Sequence, residues 1–228
     1  MTQTMVRETT QLPRRVIAAI AVGFPVVYLT NGFMPWSTRL FMEDDRSAYV
    51  PFWASAMFLH WATVLVCVAV MRRHGMTAAD VRLPMSGRQM LRGLGVLLGI
   101  GLVLGQVARL VDLPDFFLTE LTKHWEMYPS TAFEYVFWPF MALSAGVCEE
   151  FVYRGFLASA LERRGMPRHR AMTLATVVWI GVHGLAGVVF FPVYLVAGLI
   201  FAAIASRRGR LSDSIVVHVV IDSLAAFR

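Results

Sequence analysis

Several stretches of this chain are too long and too apolar to be left in water, and they limit the fold before any other feature is read. A segment that crosses a hydrocarbon core needs about 20 mostly apolar residues. Seven stretches qualify as candidates, roughly 15–35, 50–71, 90–111, 132–157, 171–190, 191–206 and 212–227, the last two being short. Of the 228 residues, 57% are hydrophobic and 16% charged, with a mean hydropathy of +0.59. That charged share is well under the ~25% of soluble domains. Backbone polar groups in lipid must be satisfied within the segment, which favours helices. The expected fold is therefore all-α: a polytopic membrane helix bundle of about seven transmembrane helices. It forms a single integral membrane domain over 1–228, with N-terminal spans and an external loop in 1–131 and a core in 132–228.

The basic residues alternate with these spans. Arg7, Arg14 and Arg15 precede the first, Arg72, Arg73, Arg82, Arg88 and Arg92 follow the second, Arg163, Arg164, Arg168 and Arg170 follow the fourth, and Arg207, Arg208 and Arg210 follow the sixth. The opposite loops mix Arg39, Arg46, Arg109 and Lys123 with more numerous acids. The positive-inside rule then puts the N-terminus in the cytoplasm and the C-terminus outside. The net charge of +6 reflects topology and contact with the lipid bilayer. Dispersal of the arginines among short loops excludes a nucleic-acid footprint. The first apolar run looks like the n- and h-regions of a signal peptide but lacks a small-residue cleavage site, so a retained anchor kinked at Pro25 is expected. Cys67 and Cys148 fall in different spans and suggest neither a disulfide framework nor a thiolate metal site. Gly95, Gly99, Gly101 and Gly105 of the third span have the four-residue spacing of close helix packing. The segment 112–131, with Pro114, Pro129, Trp125 and Tyr128, reads as an external loop or interfacial helix.

Within this apolar background, "GVCEEFVYRGF" (146–156) carries Glu149, Glu150 and Arg154. An ionised side chain at a bilayer centre costs about 2.5–3.5 kcal/mol on insertion scales, so each needs a compensating partner. Glu150 and Arg154 stand at i and i+4 with the acid N-terminal, the favourable order for a helical ion pair. Glu149 is rotated about 100° away and must find partners on other helices. Candidates are His183 in "TVVWIGVHGLAG" and His218 with Asp222 in "SIVVHVVIDS", the latter two sharing a helical face. Counted from the flanking arginines at 1.5 Å per residue, Glu149, His183 and His218 lie roughly 21, 20 and 12 Å along their helices. They can share one level. His60 is read as a hydrogen-bonded packing residue and Glu134 as interfacial.

At these residues the sequence resembles the CPBP family of intramembrane proteases, which includes CAAX prenyl endopeptidases and bacteriocin-processing proteins. "EEFVYR" fits EExxxR, and "WIGVH" fits FxxxH with Trp179 in place of Phe. "GLIFAAIASRRGRLSDSIVVHVVID" is similar to the third and fourth motifs, ending in HxxxD. The resemblance covers about 80 residues, Glu149 to Asp222. It implies an endopeptidase that cleaves a membrane-associated protein or lipidated peptide near its C-terminus, with the active core built by the C-terminal four helices. It further implies Glu149 as general base, His183 as a second hold on the attacking water, and His218 with Asp222 at the oxyanion. Glu150, Arg154 and Trp179 support the site. The implied setting is a bacterial inner (cell) membrane, and no cofactor is required. In an alternative use of the same residues, Glu149, His183 and His218 ligate zinc in an open three-ligand site, although HExxH is lacking. A transporter or a non-catalytic membrane immunity or assembly factor would also carry buried polar groups.

Overall fold

The computed structural model describes residues 11–32, 49–83 and 129–224, and among these residues the fold is helical with no strand. Helix α1 spans Arg14–Gly32 and contains Pro25; α2 spans Tyr49–Arg73 and ends on Arg72 and Arg73. Cations there complement the negative end of the helix dipole. A 3₁₀ turn, Ala78–Val81, follows.

Helix α3, Ala132–Glu149, opens on a capping box. The Thr131 hydroxyl accepts from the Glu134 N–H, and the Glu134 carboxylate accepts from the Ser130 and Thr131 N–H groups. This arrangement satisfies N–H groups that a helix start leaves unpaired. Glu134, expected at the interface, is buried in that role. At Glu150 the helix widens into π geometry through Leu157, then resumes as α4, Ala158–Arg163. π geometry is rare and recurs at functional sites. Here it begins on the second acid of the motif.

Helix α5, Arg168–Gly181, is followed by α6, Gly184–Val189, α7, Phe191–Arg208, and α8, Ser212–Leu224. The single span expected over 171–190 is thus broken at Val182 and His183. Gly184, at φ +57°, turns the chain in a conformation that side-chain-bearing residues rarely adopt. The expected count of about seven spans is only partly matched. Among the described residues α2 alone is long and apolar enough to cross a membrane, and α7 is a shorter apolar helix. Helices α5 and α8, at 14 and 13 residues, fall short of the about 20 residues that a full crossing needs. The third candidate span, its glycines and most of the 112–131 segment lie outside the described residues.

The bundle has an apolar core, yet it also carries apolar side chains outside and charged ones inside. Val22, Val26, Phe58, Leu65, Val136 and Phe140 point outward, while His60, Glu149, Glu150, Arg154 and His218 are buried. Outward apolar side chains around a buried polar cluster are what a hydrocarbon solvent favours. Helix α8 lies along α3, α7 along α5, and α2 along α3. One end of the bundle is tied by polar contacts: Arg82 pairs with Glu162 at 2.5 Å, Arg163 with Asp80, and Arg164 donates to the Leu12 carbonyl at 2.8 Å. The Leu211 N–H also donates to the Arg82 carbonyl at 3.1 Å.

Candidate active site

Two close helix approaches bring the polar residues together. A Cβ on Gly146 would lie 2.5 Å from Val219 Cγ2 and 2.9 Å from the Val219 nitrogen, so α3 and α8 meet almost backbone to backbone. One on Gly198 would lie 2.6 Å from Thr176 and 2.9 Å from the Trp179 ring, so α7 seats there against side chains of α5. The first contact sets Glu149 beside His218. The second pushes Trp179 into the centre.

Glu149 is 7% exposed and takes partners from three other helices. Its Oε2 accepts a short hydrogen bond from the Trp179 indole N–H and lies 3.7 Å from His218 Nε2. Its Oε1 lies 3.1 Å from His60 Nε2. Glu150 is fully buried, and its Oε1 is shared by Arg154 and by His218 Nδ1, each at 3.0 Å. A carboxylate only accepts, so Nδ1 donates. Glu150 Oε2 is buried without a hydrogen-bond partner among the described residues.

Arg154, fully buried, also donates to the Gly198 carbonyl at 3.3 Å and sits 4.5 Å over the Trp179 ring. A guanidinium on an aromatic face is favourable, more so when desolvated. His218 stacks on Phe201 at 4.6 Å between ring centroids, and its Nε2 is 3.5 Å from Asp222. Asp222 is the most open of the group, its side chain 28% exposed.

The residues singled out in the sequence are therefore gathered, with differences in who touches whom. The Glu150–Arg154 pair and the His218–Asp222 pair form as their four-residue spacing requires. His218, however, is oriented through Nδ1 by Glu150, so one imidazole spans both acids. Trp179 is more than a larger wall: its N–H grips Glu149, a contact Phe cannot make. His183 makes no hydrogen bond to Glu149. Its Nδ1 meets the Trp179 carbonyl at 3.1 Å and its ring packs on Tyr194 at 4.2 Å and Trp179 at 4.8 Å. Among the described residues no group of three or more His, Cys, Asp or Glu side chains is disposed to hold a metal ion.

His60, which the sequence reads as a packing residue, touches Glu149. Depth alone points to it. Twelve residues separate it from Arg72, about 18 Å along α2, close to the roughly 21 Å of Glu149 from Arg163.

Paired carboxylates, imidazoles and a guanidinium from several helices thus converge on one buried point. Residues 131–224 match the family model described as type II CAAX prenyl endopeptidase Rce1-like. The match makes this segment similar to that family of membrane-embedded peptide hydrolases, consistent with the CPBP resemblance of the four motifs. No curated protein and no solved structure matches the chain.

Proposed function

We propose that this protein is an intramembrane endopeptidase that cuts a membrane-associated protein near its C-terminus, using water activated by Glu149. The observation that carries the reading is the state of Glu149. It is buried, its two oxygens are engaged by N–H groups from different helices, and an imidazole nitrogen lies 3.7 Å away. A carboxylate so fixed has its remaining lone pairs directed at a defined place, which a general base needs.

In the proposed reaction a water gives a proton to Glu149 as its oxygen bonds to the scissile carbonyl carbon. His183, its Nδ1 committed to the Trp179 carbonyl, presents Nε2 as a second acceptor for that water. The tetrahedral oxyanion meets the Nε2–H of a doubly protonated His218, whose Nδ1–H donates to Glu150. Asp222 can donate there only in its protonated form. Collapse breaks the C–N bond, and Glu149 returns the proton to the leaving amine. Glu150 and Arg154 act as a clamp beneath His218 and Trp179.

The substrate class is a lipidated C-terminal tail, a bacteriocin-like precursor or a C-terminal membrane helix. The setting is a bacterial inner membrane with the N-terminus cytoplasmic, supported by the one-sided arginines. The test compares protein C-termini, by mass spectrometry, in membranes of cells carrying the wild type and Glu149→Gln at equal abundance. A shortened C-terminus present with the first and absent with the second is expected. Identical sets would overturn the reading.

A further inference from the structure

We infer that His60, on α2 and outside the matched segment, is a positioning residue for Glu149, so that the N-terminal part of the chain completes the site. The inference rests on Glu149 as the base. Both ring nitrogens of His60 are used: Nδ1 lies 3.3 Å from the Ser144 hydroxyl and Nε2 lies 3.1 Å from Glu149 Oε1. A carboxylate cannot donate. The Nε2 proton therefore points at Glu149, and Ser144 donates to Nδ1. His60 and Ser144 are both buried, which leaves the relay Ser144 to His60 to Glu149 shielded from competing donors. Histidine commonly has one nitrogen fixed by a partner so that the other performs the task.

The relay holds one carboxylate oxygen from α2 while Trp179 holds the other from α5. With a single donor the carboxylate can turn about its last bond. With one donor on each oxygen it is locked, and the free lone pairs stay aimed where water must sit. A misplacement of about 1 Å at a reacting group can cost ~100-fold in rate. The matched segment, 131–224, carries Trp179, Ser144 and Glu149, and the donor to Glu149 Oε1 comes from outside it, on α2.

The full-length protein is tested in membranes, with pulse-chase conversion of the C-terminus identified above as the rate and thermal unfolding in detergent as the fold control. His60→Leu keeps bulk and removes the donor; conversion is expected to slow ~100-fold, with the unfolding temperature close to wild type. His60→Gln places an amide N–H near the same point and is expected to restore most of the rate. A purely structural role would not separate Gln from Leu. Wild-type conversion by His60→Leu, or Gln no better than Leu, would overturn the inference. Should His60→Leu fail to fold, Ser144→Ala decides: slowed conversion with normal unfolding supports the relay, and an unchanged rate overturns it. Loss of conversion in Glu149→Gln with none in His60→Leu removes this inference alone, whereas full conversion in Glu149→Gln removes the proposed function itself.

Discussion

Replacing Arg154 with Met isolates the clamp beneath the site. The change keeps length and apolar stem but leaves Glu150, fully buried, without its guanidinium. Breaking a buried ion pair from one side costs roughly 3–5 kcal/mol, because the remaining charge is stranded. Two features shift the expectation toward the lower end. His218 Nδ1 still holds the same Glu150 oxygen at 3.0 Å, and the Gly198 carbonyl keeps the Thr176 hydroxyl at 3.4 Å after losing Arg154. Loss of the cation over the Trp179 ring adds about 1–2 kcal/mol in the other direction. At about 2–4 °C per kcal/mol for a chain of this size, the unfolding temperature in detergent should fall by about 6–20 °C. The paired replacement Glu150→Gln with Arg154→Met removes both charges and should recover at least half of that drop. Unfolding of the single variant within about 2 °C of wild type, or a double variant no better than the single, would refute the idea that a desolvated charge pair holds this region.

Trp179→Phe, which returns the family's residue, removes the indole donor from Glu149; turnover should drop by ~10- to 100-fold with modest loss of stability, and conversion rate against unfolding temperature shows the split. Gly146→Ala forces α3 and α8 apart where a methyl would meet the Val219 backbone, and a loss of roughly 1–3 kcal/mol in detergent unfolding is expected. Dialysis against a strong zinc chelator should leave conversion unchanged; loss restored by zinc alone would favour the three-ligand alternative. At the tied end of the bundle, partial burial raises the Asp80 carboxyl, but the Thr77 N–H and hydroxyl and the Arg163 guanidinium outweigh it and hold the group below its ordinary value. Its stabilisation is therefore full above the unfolded value of about 3.9 and disappears as pH falls through the lower folded value. Asp80→Asn should lower stability slightly at pH 7, by less than about 1 kcal/mol, and by progressively less as pH falls through the folded value.

What could be read from the sequence is what depends on short spacing. Glu150 and Arg154, and His218 and Asp222, are four residues apart on one helix, so pitch alone puts each pair together. Glu149 was left without a local partner, and its partners do come from other helices. Two things were hidden. The break after Gly181 depends on a positive φ at Gly184, and apolar periodicity does not distinguish a glycine that turns from one that packs. His60 meets Glu149 across 89 positions of sequence, and only the stacking of α2 on α3, which no motif encodes, brings them into reach. The widening at Glu150 was equally invisible, since side-chain pattern does not report which carbonyl each N–H selects.

The near-contact of main chains at Gly146 has a consequence for how the site can move. Where two backbones touch there are no rotamers to swing aside, so the flank between α3 and α8 behaves as a fixed jaw. Exposure rises instead along α8, from 4% at the His218 side chain to 28% at Asp222. Among the described residues, the more open part of α8 therefore lies at Asp222, one helical turn beyond His218.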